Sequence, residues 1–259
     1  MQANPPHLAF FFLPGSNRRM LTAPLLAVTF TPLMFAAVLA WILSVCIHEF
    51  SHALVAYWGG DRSVREKGYL SLDPTKFIDP VFSLLLPAII LMMGGFPLPG
   101  GSVMIDRSAL RNEKWSAYVS AAGPVSNFLL FLLLCIPIHP MVGIVPPIGP
   151  HPTWVYFTAA MAVLNFTATI FNLIPIPPLD GFGIIEHTFD AETRWKMHQP
   201  HAVWGGFGLL MFLLFVFPES MQAFFWMLDY VCDTIGMPFE LLAEGFNFVM
   251  FDVAPSGMG

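Results

Sequence analysis

Residues 46–56 read CIHEFSHALVA, and within them His48, Glu49 and His52 spell HExxH. The chain just before, from Pro24 to Ala40, carries no charge. An ionisable side chain at bilayer depth costs roughly 2.5–3.5 kcal/mol on insertion scales. Three of them in an apolar run need a compensating partner, and a bound cation supplies one. On a helix, positions i and i+4 share a face, so both imidazoles reach one metal ion. Glu49 lies about 100° round the helix from His48, beside the metal without occupying it. That layout suits a metal-activated water with a carboxylate base next to it. The alternative is a chance HExxH on an apolar core helix.

Composition supports the membrane setting. Hydrophobic residues make up 56% of the 259 residues and charged residues 11%, against roughly 25% charged in soluble domains. Mean hydropathy is +0.68. The fold class expected is an all-α multi-pass membrane protein, with membrane lipid as its surroundings. The net charge of −6 leaves no basic stripe for phosphates, which argues against a nucleic-acid partner. Cys46, Cys135 and Cys232 sit in or beside apolar runs at spacings that fit no zinc or redox motif, so no disulfide is expected.

Working outward, residues 1–23 form a short head, 24–236 a single membrane-embedded domain, and 237–259 an acidic tail. The first helix starts at Pro24 or, because an internal proline delays or kinks a helix, at Pro32; Gly59-Gly60 ends it. It continues without a break into HExxH, too long for a cleaved signal peptide. Further apolar runs cover 79–97, 117–138, 153–177, 202–217 and 221–236, giving about five to six transmembrane helices. The 79–97 run is interrupted by Pro80, Pro87 and Gly94-Gly95, which suits a re-entrant or interfacial segment.

A catalytic tetrahedral zinc takes three protein ligands and leaves one position open. Residues 172–181 read NLIPIPPLDG. Pro175, Pro177 and Pro178 cannot continue a regular helix, and irregular backbone at membrane depth is tolerated where it lines a cavity. Asp180 then offers the metal an oxygen; alternatively, the helix simply ends at the interface. Residues 121–127, AAGPVSN, combine small residues that favour close helix packing with a lone amide, Asn127, whose alternative use is one interhelical hydrogen bond. His139 and His151 read as loop residues before proline, and His187, His198 and His201 match no familiar metal spacing.

HEFSH, AAGPVSN and NLIPIPPLDG, in that order on separate apolar segments, resemble the site-2 protease family of intramembrane zinc metalloproteases. GYLSLDPTKFIDPVFSLLLP resembles the short branch without PDZ or CBS domains, and the likeness covers roughly residues 40–186. The resemblance implies one Zn2+ held by His48, His52 and Asp180, with Glu49 as general base. It implies that Asn127 and Asn172 steady the substrate or the oxyanion. It also implies that the partner is a transmembrane segment of another membrane protein. Phe182 and the loop PLPGGSVMID depart from the family pattern and bear on substrate fit. A metal carrier and an inactive helix-binding paralogue are the competing readings.

The site sets a topological condition. If the first helix and 153–177 both bring ligands to one metal at their C-terminal ends, they run in the same direction, and 79–97 makes no net crossing. One side then holds Arg62, Arg65, Lys67, Lys76, Arg107, Arg111, Lys114, Arg194 and Lys196, and the other only Arg18 and Arg19. Positive charge marks the cytoplasmic side, which places the active site there, in a membrane expected to be a prokaryotic cell membrane. Short strands near Gly68–Leu72 and Ser102–Ile105 are expected beside the active site, to hold an unwound substrate by edge pairing.

Overall fold

The computed structural model describes residues 31–77, 103–142, 151–216 and 218–251. The head over 1–23 and the run over 79–97 lie outside the described residues. All regular elements within them are helical.

Helix α1 spans Pro32–Gly59. Thr31 caps it, its Oγ1 accepting the Met34 N–H at 3.1 Å, and Pro32 takes the first turn, where its missing N–H costs nothing. The later of the two expected starts is the one observed. The helix stops at Gly60, whose φ of 122° is open to glycine. After the short α2, Ser63–Glu66, come 3-10 turns at Pro74–Lys76 and Arg107–Ala109. Then follow α3, Glu113–Ile138, and α4, Thr153–Asn172. The remaining helices are α5, Asp180–Ile185, α6, Ala191–Met197, α7, Pro200–Val216, α8, Pro218–Ile235, and α9, Phe239–Phe251, with a 3-10 turn at Glu186–Thr188.

Among the described residues α1, α3 and α4 are long and apolar enough to cross a membrane, and α7 is apolar but shorter. The spanning part of α4 is 78% buried against 39% for α1 and α3, which makes α4 the inner helix. Contacts set the directions. His52 Nδ1 meets the Val119 carbonyl, and Gly59 abuts Trp115, so α3 runs against α1. Thr169 Oγ1 reaches the Pro124 carbonyl and Phe131 meets Phe166, so α4 runs against α3 and therefore with α1, the relation the site requires.

One core cluster joins α1, α3, α4, α8 and α9 through residues such as Trp41, Phe131, Tyr156, Phe166, Leu228 and Leu242. Its α9 part differs from the sequence reading, which placed 237–259 in an acidic tail. Leu242, Phe246 and Val249 recur at helical spacing and are buried. Gly245 lets α9 close onto α4, where a Cβ would stand 2.6 Å from both the Ala159 Cβ and the Tyr156 carbonyl oxygen. The acidic count masked this periodicity.

The connections gather at one end. Arg111 N–H donates to the Gly59 carbonyl at 2.9 Å, Asp106 N–H to Asp61 Oδ2 at 2.8 Å, and Lys67 Nζ to the Met104 carbonyl at 2.8 Å. Both flanks of the 78–102 segment therefore lie together. The strands expected near Gly68–Leu72 and Ser102–Ile105 are not formed among the described residues. Gly68 takes a φ of 80° in a turn, and 103–106 has no ladder partner among the described residues. Tyr69, Leu70, Val103 and Ile105 instead pack around buried Val64.

Candidate metal centre

His48, Glu49 and His52 occupy the C-terminal half of α1 and are all buried. The His48 and His52 Nε2 atoms stand 3.0 Å apart. The chain reaches the third member by leaving α4 at Asn172 and crossing the proline-rich segment to Asp180, the first residue of α5. Asp180 Oδ2 lies 3.1 Å from His48 Nε2 and 3.4 Å from His52 Nε2. Among the described residues these three form the one group able to share a metal ion. His187 and His198 do not join it: His187 Nδ1 faces the Ile184 carbonyl, and His198 pairs with Glu186.

The donor set fits zinc. Three ligand atoms about 2.0–2.1 Å from a tetrahedral ion would be separated by about 3.3 Å, close to the three observed edges. His52 Nδ1–H donates to the Val119 carbonyl at 2.6 Å, which leaves the Nε2 lone pair facing the site; metal-ligating histidines are held in this way. Gly123 on α3 keeps the front clear, because a Cβ there would strike the Nε2 atoms of both histidines.

Asn127 stands one turn beyond Gly123 on the same face of α3 and is buried, and its Oδ1 has no partner among the described residues. Asn172 closes α4, also buried, with an unpaired Nδ2. Unpaired amide atoms in an apolar core are costly unless a ligand or water meets them. Three features had no readable sequence signal. Asn165 Nδ2 bonds Ser44 Oγ at 3.2 Å and the Met161 carbonyl at 2.9 Å, one turn before His48 on the facing helix. The Val119 carbonyl acts through its backbone, which no side-chain motif marks. Glu186 gathers Arg107 and His198 from distant segments.

The relatives agree with this chemistry. Residues 137–216 match Peptidase family M50. The chain is 34% identical over 222 residues to a Mycolicibacterium smegmatis protein named "Putative zinc metalloprotease Rip2", covering 84% of this chain and 81% of the relative. The chain belongs to peptidase family M50, the site-2 protease family. A Mycobacterium tuberculosis protein of the same name is 34% identical over 223 residues, covering 84% and 82% of the two chains. The similarly named YwhC of Bacillus subtilis is 33% identical over 224 residues, covering 82% of this chain and 94% of the relative. No solved structure matches the chain significantly. As an M50 member the chain is a zinc metalloprotease, and His48, His52 and Asp180 are a group able to take the family's Zn2+.

Proposed function

We propose that this M50 protease is an intramembrane endopeptidase that hydrolyses peptide bonds in transmembrane segments of other membrane proteins. The observation that carries the reading is a group of buried His48 and His52 with half-buried Asp180 inside a bundle of membrane-spanning length. In this reading those three residues hold one Zn2+, which when bound polarises the scissile carbonyl and eases ionisation of water. Glu49, buried beside His48, takes the proton from the attacking water and passes it to the leaving amine. The unpaired Nδ2 of Asn172 suits a developing oxyanion, and the unpaired Oδ1 of Asn127 suits a substrate N–H.

A helical substrate hides its carbonyls in the i to i−4 ladder, so it must arrive unwound. Residues 103–106 support a docking edge. Val103 and Ile105 pack inward, Met104 is exposed, and the segment has no strand partner among the described residues. A substrate strand added there would gain main-chain hydrogen bonds and side-chain pockets. The Lys67–Met104 contact supports a 79–97 segment without net crossing, and the positive-charge bias then supports a cytoplasmic site in a prokaryotic cell membrane. Five crossings follow if the two apolar runs after α4 also span, and six only if 79–97 crosses as well. The membrane domain of 24–236 then extends to include α9.

The test is cleavage of single-span substrates by purified wild type and Glu49→Gln, with zinc assayed in both. Cleavage by wild type alone, with equal zinc, supports the reading. Cleavage by both removes Glu49 as the base. A protein that retains zinc and instead moves metal across vesicles in a Glu49-independent way is a carrier.

A further inference from the structure

Asp180 sits on a weakly self-supporting element. Helix α5 has six residues and no side-chain cap at its N-terminus. Helices this short do not hold themselves in water, and the prolines before it cannot supply regular hydrogen bonds. Something outside the turn must set where Asp180 points.

Glu186, at the far end of α5, is buried and uses both carboxylate oxygens. Oε2 pairs with Arg107 Nη1, and Oε1 meets His198 Nε2 at 2.8 Å. Arg107 belongs to the loop whose neighbour Asp106 is tied to Asp61, which is wholly buried just past the end of α1. Arg111 in the same loop bonds the last residue of α1. Between Asp180 and Glu186, Gly183 presses so closely on Ser120 that a Cβ would collide with its Oγ. Ser120 adjoins Val119, the carbonyl that orients His52. A continuous set of contacts therefore runs from the C-terminal end of α1, through Arg107 and Glu186, back to Asp180.

We propose that Glu186 is a positioning residue whose ionic clasp with Arg107, backed by His198, fixes the Asp180 turn against the His48 and His52 helix before metal binds. The inference rests on the metal-site reading above. It assigns a role to a buried carboxylate that takes no part in the proposed hydrolysis. Arg107 is suited to the clasp because a guanidinium holds a carboxylate in a defined orientation, whereas lysine is a point charge.

The experiment measures zinc dissociation constants by chelator competition on the full-length protein. Wild type, Glu186→Gln, Arg107→Ala, the double variant and His48→Ala are compared. Each clasp variant should bind zinc about tenfold more weakly, in the range seen when outer-shell partners are lost. The double variant should be no weaker than either single one, because both remove one clasp. A merely structural contact would lower melting temperatures with and without zinc while leaving the zinc constant in place. An unchanged constant in folded Glu186→Gln, or a loss there without one in Arg107→Ala, overturns the clasp. If Glu186→Gln does not fold, Arg107→Lys replaces it: weaker zinc binding despite the retained charge supports the clasp, and an unchanged constant overturns it. Zinc retained by His48→Ala would instead overturn the metal-site reading itself.

Discussion

Asp180 Oδ2 stands 3.1 Å from His48 Nε2, although α1 and α5 are distant in the chain. The contact closes the three-donor group, and no other described residue is placed to replace it. Asp180→Asn keeps the shape and removes the anionic oxygen. Its zinc affinity should fall by more than the roughly 10–100-fold typical of outer-shell changes. Competition with a chelator checks this, and wild-type affinity would exclude Asp180 as a ligand.

Gly123→Ala tests the same centre from the opposite wall. The added methyl would land on the Nε2 atoms of His48 and His52, where the histidines would present lone pairs to zinc. We expect loss of zinc and activity together, with the helix content of wild type retained in circular dichroism. A stoichiometric zinc content in Gly123→Ala would place the metal elsewhere.

Some of this was legible in the sequence, for physical reasons. His48 and His52 share a helix face by geometry, and three prolines before Asp180 mark a break where a ligand can enter. Gly123 read only as a packing residue, because what its missing Cβ would strike depends on tertiary structure. Glu186, Arg107 and His198 come from three segments without a shared period, so no spacing announces them. The strands expected near Gly68–Leu72 and Ser102–Ile105 give way, among the described residues, to a positive φ at Gly68 and to inward packing of both Val103 and Ile105. Helix α9 was hidden by its acidic residues, although Leu242, Phe246 and Val249 carried its period.

The three buried asparagines should separate by role. Asn165 makes two hydrogen bonds, so Asn165→Ala should destabilise the fold by about 1 kcal/mol. Asn127 and Asn172 each leave an amide atom unpaired, as Asn165 leaves its Oδ1, but these two flank the metal centre, one turn from Gly123 and at the start of the segment leading to Asp180. Alanine there should leave melting nearly unchanged and lower kcat by roughly 10²–10³-fold, the loss typical of an oxyanion donor. Zinc content should match wild type. Unchanged kcat in both would remove them from the reaction.

Lys67 and Met104 touch across the ends of the 78–102 segment. Cysteines placed at Lys67 and Arg107 should therefore react with a membrane-impermeant maleimide from the same side of sealed vesicles. By the charge bias, that side should be cytoplasmic. Labelling from opposite sides would require 79–97 to cross.

Acid should loosen the clasp. Burial pushes the Glu186 carboxyl up, but hydrogen bonds from His198 and Arg107, with the positive charge beside them, outweigh burial and hold it below the ordinary carboxylate range. A carboxyl depressed in the folded state contributes stability that is complete above its unfolded value, about 4.3 for glutamate, and is lost as pH falls through the folded value. Wild type should therefore melt above Glu186→Gln at pH values above about 5. The margin should close as the pH drops below about 4.3, where wild type also carries a neutral side chain. Asp73, Asp106 and Asp190 are likewise held low, by hydrogen bonds from Thr75, Ser108 and Thr193. Both proteins share that acid-sensitive background, so it cancels in the difference. Melting curves of the two proteins across this range decide the matter: a margin that persists unchanged at the most acidic pH would mean that the Glu186 charge contributes nothing to the fold.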